Sequence, residues 1–243
     1  MKKICIVLAS VFLFIGSNAI AATTVNVFDS ADTTSIDSWK AGLGGIDSVL
    51  EDFEGISLDV NGNWYETLPS SDLGTFTAGG LIGEGTTSYN DLNDPDSDKP
   101  WFRVTEEEVS GRLTGNQFLD SADITELTLD ITPDLTNLWF HIQDPSDQSA
   151  ITTITSNSSG TSTDTYSFTA GQANAAKFFV GISVDGGETL KQIIWKTSTQ
   201  TDGYGLDNFT SVSAVPIPGA ALLLASGLLG LGWVKRRSKS FSA

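Results

Sequence analysis

Apolar and polar residues alternate with a period of two along short stretches of this chain. The clearest stretch is residues 126–131, in which three apolar residues, Leu127, Leu129 and Ile131, are separated by polar ones. Side chains of a β-strand point alternately to opposite faces, so the three apolar residues share one face and the polar residues share the other. The stretch is therefore predicted to be a half-buried antiparallel strand.

The same kind of pattern predicts an all-β protein. Short runs rich in Thr, Val, Ile, Phe and Trp, bounded by Gly, Asn and Asp, predict further strands at 48–53, 73–77, 102–105, 138–143, 150–155, 163–169, 177–184, 190–197 and 206–212. Asp185-Gly186-Gly187 predicts a tight hairpin, because these residues tolerate positive φ. One short helix is predicted at 29–39. Strands at this spacing predict a two-sheet antiparallel sandwich of jelly-roll type.

The first 22 residues have the organisation of a secretory signal peptide. Lys2 and Lys3 precede an apolar run at 4–15, and Ala19-Ile20-Ala21 provides small residues for cleavage. Cys5 is the only cysteine and lies inside this segment. The domain predicted to be exported, residues 23–213, therefore has no disulfide and depends on its core or a bound metal for stability.

The C-terminal segment, residues 214–243, has three ordered parts. Val215-Pro216-Ile217-Pro218-Gly219-Ala220 begins it, and the two prolines exclude a continuous helix there. Residues 219–234 carry no charge, and as a helix they would extend about 24 Å, slightly less than the roughly 30 Å core of a bilayer. Lys235, Arg236 and Arg237 then predict a cytoplasmic end for a transmembrane helix.

This tail resembles the PEP-CTERM class of sorting signals, in the variant with a Val-Pro-x-Pro motif. Ile217 stands where the name-giving Pro-Glu-Pro pattern has its glutamate. The resemblance implies that an exosortase, an integral membrane enzyme of exopolysaccharide-producing Gram-negative bacteria, recognises residues 215–220 and cuts near them. It also implies transient attachment to the inner membrane and then a place at the cell surface or in the extracellular matrix.

The exported domain is strongly acidic. It contains all 30 acidic residues of the chain against seven basic ones, a formal charge of −23. Such a surface excludes nucleic acid as a natural partner, because the phosphate backbone would be repelled. Divalent cations or high solubility explain the charge better.

A second, looser resemblance covers the later part of the domain. Residues 111–113, 118–125 and 202–209 resemble the sandwich ectodomain often found ahead of this sorting tail, which implies a jelly roll similar to lectins or carbohydrate-binding modules. In such modules a structural calcium commonly bridges an early strand and the last one. The resemblance implies a calcium site formed by Glu51, Asp52, Glu54, Asp207 and Asn208. The alternative is that these carboxylates accept hydrogen bonds from turn amides.

Other candidate chemistry is weaker. Residues 94–98 resemble the start of an EF-hand calcium-binding loop. Lys99, however, occupies the position of the turn glycine, and Thr105 that of the calcium-binding glutamate, so an EF-hand is not expected. His141, the only histidine, is expected to share one face of its strand with Trp139 and Gln143. Because the domain has one histidine and no cysteine, it can contain neither a cysteine nucleophile activated by histidine nor a zinc site with several histidine ligands.

The function expected from these observations is structural or glycan-binding, without enzymatic activity. Flat aromatic rings can stack on a sugar ring, and Trp64 and Tyr65, which follow a turn, are the pair expected to be exposed for this purpose. The alternative is a secreted enzyme, a glycoside hydrolase or lyase, that acts on polysaccharide through two carboxylates in a cleft.

Overall fold

The computed structural model describes residues 22–58, 63–81, 99–106, 117–146, 151–201 and 203–213. The elements, in chain order, are β1 (Thr23–Asp29), α1 (Thr33–Leu43), β2 (Ile46–Glu51), β3 (Asn63–Tyr65), β4 (Thr67–Ser70), β5 (Gly74–Gly79), β6 (Phe102–Glu106), β7 (Gln117–Asp120), β8 (Glu126–Leu135), β9 (Asn137–Gln143), β10 (Thr152–Ser158), β11 (Thr163–Ser167), β12 (Lys177–Val184), β13 (Leu190–Thr197) and β14 (Gly205–Ser213).

The strands form two antiparallel sheets. The larger, eight-stranded sheet has the order β1-β12-β9-β14-β7-β6-β3, with β2 paired to the far half of β14. The smaller, six-stranded sheet has the order β11-β10-β13-β8-β5-β4. From β8 onward the chain crosses repeatedly between the sheets, although the consecutive strands β10 and β11 pair within the smaller sheet. The prediction of an all-β, two-sheet antiparallel sandwich is confirmed.

The core lies between the sheets and is rich in aromatic side chains. Leu127, Leu129 and Ile131 of β8 point into it, as their alternation predicted. Phe209 of β14 lies at the centre of the aromatic contacts. Its ring centroid is 4.9 Å from that of Phe140 and 5.3 Å from that of Phe76. Rings that interlock in this way bury large areas and hold the two sheets together.

Four strands of the structure were not predicted: β1, β3, β4 and β7. Three of them contain only three or four residues, too few to show an alternation. The predicted helix is present but begins later, at Thr33, because Asp32 caps it. The Asp32 carboxylate accepts a hydrogen bond from the Ser35 amide at 3.1 Å. Asp29, where we expected the helix to begin, instead ends β1.

Helix α1 covers part of the face of the larger sheet that is turned away from the smaller sheet. Ile36 and Trp39 of the helix pack on Trp139 and Phe179 of the sheet, forming a small second core. Gly181 makes this close approach possible. A Cβ atom at Gly181 would lie 2.6 Å from the ring of Trp39.

Side chains close one open edge of the sandwich. The amide of Val25 in β1 donates to the Asp164 carboxylate at 2.8 Å, and the amide of Thr23 donates to the Ser162 hydroxyl. Asp164 belongs to β11, at the edge of the other sheet. Edge amides that are satisfied in this way are protected from pairing with another chain.

Both predicted targeting segments fall outside the described residues. These are the signal peptide, of which residues 1–21 are not described, and the C-terminal segment 214–243 with its sorting motif, predicted transmembrane helix and basic end. In the ranges that the structure describes, no helix has the length and apolar character that spanning a membrane requires.

Candidate functional site

One row of side chains crosses the outer face of the larger sheet, the face turned away from the core. Each member of the row is the direct cross-strand partner of the next. We call this set the outer row, and it consists of Trp64, Arg103, Asp120, Gly205, Gln143 and Lys177. Their sequence neighbours Phe102, Leu119 and Ile142 point into the core. At about 4.8 Å between strands, the row is about 24 Å long.

Arg103 links the first half of the row. Its Nε donates to Asp120 Oδ2 at 2.7 Å, and its terminal nitrogen lies 2.7 Å from the same oxygen. The guanidinium carbon lies 5.5 Å from the centre of the Trp64 ring. The Trp64 ring and the carboxylate therefore hold the guanidinium from two sides, which fixes both hydrogen-bonding groups on the sheet surface.

The second half of the row contains a buried amide. Gln143 has only 6% of its surface exposed, and no hydrogen-bond partner for its Oε1 lies within the described ranges. Nδ1 of the neighbouring outward residue, His141, likewise has no partner in the described part of the chain. Buried polar atoms in this condition are unfavourable, and a bound ligand is one way to satisfy them.

The environment of His141 keeps its imidazole neutral. Burial against the Phe179 ring, whose centroid is 5.9 Å away, together with the nearby charges of Lys177 and Lys40, lowers the pKa of His141 to about 4. Asp207 lies opposite His141 in the register and is fully buried. The Asp207 carboxylate accepts hydrogen bonds from the Asn208 amide at 2.7 Å and from Asn208 Nδ2 at 2.8 Å.

The structure divides the aromatic pair expected to bind sugar. Trp64 points outward beside Arg103, whereas Tyr65 packs against the core and stacks on Phe102 with a centroid distance of 6.0 Å. Adjacent residues of a strand face opposite ways, so these two rings do not form one surface. Trp64 alone belongs to the outer row.

The residues expected to bind calcium do not form one group. Glu51 Oε1 accepts a hydrogen bond from the Phe53 amide, Asp52 Oδ1 from the Glu54 amide, and Glu54 Oε1 from the Gln117 amide. The described part of the chain contains no group of three or more acidic or histidine side chains placed to hold a metal ion. In this geometry the three carboxylates accept hydrogen bonds from backbone amides, which is the alternative that the sequence left open. Calcium binding stays a prediction.

Sequence reasoning missed the outer row as a unit. It identified the shared face of Trp139, His141 and Gln143, and the structure confirms that alternation. It assigned no binding role to Arg103, Asp120 or Lys177. These residues lie on strands far apart in the sequence, and each looks like an ordinary exposed position when read alone.

The sequence matches no protein-family model and no curated protein sequence. Among solved structures, the fold is distantly similar to a family 11 carbohydrate-binding module from Clostridium thermocellum in complex with a β-1,3-1,4-mixed-linked tetrasaccharide. The identity is 14%, the TM-score 0.33, and the match covers 70% of this chain and 96% of that one.

Two further similarities are equally distant. TmCBM61, solved in complex with β-1,4-galactotriose, has 10% identity and a TM-score of 0.28, over 46% of this chain and 82% of that one. The enzymatically active domain of bacteriophage CBA120 tailspike protein 4 has 13% identity and a TM-score of 0.25, over 62% of this chain and 19% of that one. Similarity at this level does not assign a ligand or an activity to this chain.

Proposed function

We propose that this chain is an exported surface or exopolysaccharide-matrix protein whose sandwich binds glycan along the outer row. The observation that carries the proposal is the alignment of an outward tryptophan, a fixed Arg103–Asp120 pair and the buried amide of Gln143 across one sheet face. The row is longer than one sugar ring, so its ligand would be an extended oligosaccharide.

The chemistry of the row suits a sugar. The apolar face of a pyranose stacks on a flat aromatic ring such as that of Trp64. Sugar hydroxyls both donate and accept hydrogen bonds, so they can pair with the Arg103 guanidinium, the Asp120 carboxylate and the Gln143 amide. Fixed polar groups around an apolar contact are typical of small-molecule sites that select an orientation.

The test is glycan binding by the full chain, purified in detergent, and by two variants. We expect Trp64→Ala to weaken binding severalfold, up to about tenfold, through loss of a contact worth about 0.5 to 1.5 kcal/mol, and Trp64→Phe to retain part of it. Thr155→Ala, on the outer face of the smaller sheet, is the matched control and should bind like the unaltered protein. Equal binding by Trp64→Ala and the control would contradict the proposal.

We propose binding without turnover. Asp120 forms an ion pair with Arg103, and the Asp207 oxygens accept hydrogen bonds from Asn208. Both carboxylates on this face are therefore already engaged by other groups of the protein. The competing proposal, a polysaccharide-acting enzyme, predicts release of reducing sugar from the organism's own matrix. Such release by the unaltered protein, lost on Asp120→Asn, would favour the enzyme.

The processing proposal rests on the two ends of the sequence. We propose that an exosortase recognises residues 215–220, that residues 219–234 hold the protein transiently in the inner membrane, and that Lys235, Arg236 and Arg237 remain cytoplasmic. Mass spectrometry of the mature C-terminus, in cells with and without the sorting enzyme, tests this. An intact C-terminus in both strains would contradict it.

A further inference from the structure

The ion pair at the Trp64 end of the outer row carries no net charge but keeps hydrogen-bonding capacity. A guanidinium has several N–H donors, and two nitrogens of Arg103 approach the same oxygen, Asp120 Oδ2, each at 2.7 Å. The other carboxylate oxygen, Oδ1, accepts a hydrogen bond from the Ala122 amide at 2.9 Å. The side chains of Arg103 and Asp120 are 37% and 20% exposed. A ligand on the sheet surface can therefore accept hydrogen bonds from the remaining N–H groups of Arg103.

A second aromatic ring lies on the same face, on the other side of this ion pair from Trp64. Phe118 of β7 lies two residues before Asp120 on the same strand, and Leu119 between them is fully buried in the core. Phe118 therefore points outward, beside Asp120. Its side chain is half-buried and belongs to neither of the two hydrophobic cores that the described residues form. A ring in this position is available to contact a ligand.

The two rings are too far apart to contact the same sugar ring. Trp64 lies on β3 and Phe118 on β7, with β6 between them. Two strand spacings of about 4.8 Å separate these strands, so the rings lie about 10 Å or more apart. That distance exceeds the width of a pyranose ring. Trp64 and Phe118 would therefore stack on different sugar residues of one chain, with the ion pair between them.

The charges around this surface favour an uncharged ligand. Its two cations in the described part of the chain, Arg103 and Lys99, are each ion-paired, Arg103 with Asp120 at 2.7 Å and Lys99 with Glu66 at 3.1 Å. Glu106, at the end of β6, adds an exposed carboxylate. The domain as a whole carries a formal charge of −23. An anionic ligand would therefore be repelled by the domain and would gain little from cations that are already neutralised.

We infer that the Trp64 end of the outer row binds an uncharged polysaccharide, with Trp64 and Phe118 stacked on two sugar residues and sugar hydroxyls accepting hydrogen bonds from Arg103. This inference rests on the proposed glycan-binding function and names the class of its ligand. Phe118 is the contact residue that it adds. Because Asp120 already neutralises Arg103, the guanidinium can bond to hydroxyl oxygens but does not select a carboxylate over them.

The first experiment compares polymers that share a backbone and differ in charge. The full chain in detergent, with EDTA, is titrated with hydroxyethylcellulose and carboxymethylcellulose, and with dextran and carboxymethyldextran. At about 0.01 M NaCl, where the Debye length is about 30 Å, we expect the tighter-binding neutral polymer to bind at least about threefold better than its anionic derivative. At about 1 M NaCl, where that length is about 3 Å, the difference should shrink, and the affinity for the neutral polymer should stay the same.

A charge variant tests the neutral ion pair. Asp120→Asn leaves Arg103 without its counter-charge, so the ratio of anionic to neutral polymer affinity should rise at least about threefold. Glu126→Gln is the matched control. It removes one negative charge as well, but from the outer face of the smaller sheet, where Glu126 pairs with Lys196 at 2.9 Å. The control should keep the preference of the unaltered protein.

Ring variants test the second stacking contact. Phe118→Ala should weaken binding of the neutral polymer severalfold, and Phe118→Tyr should retain it, because the tyrosine ring presents the same flat face. Ile194→Ala, which shortens a half-buried apolar side chain on the outer face of the smaller sheet, is the matched control and should bind like the unaltered protein. Thermal melting of each variant shows that it is folded.

Four outcomes would overturn the inference. They are binding of neither neutral polymer, tighter binding of an anionic polymer by the unaltered protein, equal effects of Asp120→Asn and Glu126→Gln, and unchanged affinity in Phe118→Ala. If any glycan still binds through Trp64 in these cases, the proposed function stands and only the assignment of an uncharged ligand on two rings fails. If no glycan binds and Trp64→Ala changes nothing, both fail.

Discussion

The outer faces of the two sheets are built differently. On the smaller sheet, one row across all six strands consists of β-branched residues: Thr67, Thr77, Thr128, Ile194, Thr155 and Thr165. Polar side chains beside this row pair with each other across the strands. Lys196 forms an ion pair with Glu126 at 2.9 Å, and Gln192 donates a hydrogen bond to Asp130 at 2.8 Å. On the larger sheet, the outer face carries aromatic rings, a covering helix, and the buried polar atoms of Gln143 and His141.

This difference separates a face whose polar side chains pair with one another from one that leaves buried polar atoms without such partners. Threonine fits a pleated, half-exposed surface, and cross-strand threonine pairs such as Thr155 and Thr165, 3.2 Å apart, support it. Those groups satisfy one another. The outer face of the larger sheet buries rings outside the main core and leaves buried polar atoms without partners in the described part of the chain.

The largest expected difference between the faces comes from removing a buried ring. Trp139→Ala should lower the free energy of unfolding by about 3 to 5 kcal/mol, because Trp139 is 2% exposed and contacts Trp39, Phe179 and Lys40. Ile194→Ala, at a half-buried position on the other outer face, should cost about 1 kcal/mol. Urea unfolding measures both, and similar losses would show that the two faces are equally packed.

Acid should weaken the larger sheet through His141. Its pKa is lowered to about 4 in the folded protein, so the unfolded chain binds the proton more readily between pH 6.5 and 4. The stability contributed by the neutral imidazole is fully present above pH 6.5 and is lost as the pH falls through 4.

We therefore expect the unaltered protein to lose about 2 to 3 kcal/mol more stability than His141→Gln between pH 7.5 and pH 4.5. Urea unfolding at the two pH values measures this, and the acidic residues that titrate in both proteins cancel in the difference. Equal losses would mean that the imidazole is not buried as described.

Substitution of two glycines should give smaller effects that again differ between the two faces. Gly181→Ala should cost about 1 to 3 kcal/mol, because the new methyl group meets the Trp39 ring at 2.6 Å and must displace it or α1. Gly79→Ala, on the outer face of the smaller sheet, meets the Glu126 side chain at an ordinary 3.7 Å and should be close to neutral. A neutral Gly181→Ala would show that α1 is not fixed on the sheet.

We expect the smallest effect from chelation. EDTA should leave the melting temperature unchanged, because Glu51, Asp52 and Glu54 accept amide hydrogen bonds where they stand. A fall in melting temperature that added calcium restores would instead support the calcium site that the sequence predicts.

The long strands could be predicted from the sequence because their side-chain period is visible locally. β8, β9, β12 and β13 bury one face against the core, and β12 and β13 begin and end where they were predicted. The short strands β3 and β7 could not be predicted, because three or four residues carry no period. β3 and β7 are stabilised by partners distant in the sequence, such as β6 between them.

The sequence by itself determined the sandwich, because alternation over six or more residues forces one face of a strand inward whatever its partner. It also determined the −23 charge of the domain between its two predicted signals. Only the tertiary structure decided the outer row, since strand order and register place Trp64, Arg103, Asp120, Gln143 and Lys177 side by side from five separate strands. Periodicity gives the face on which a side chain lies, but only cross-strand pairing gives its neighbours.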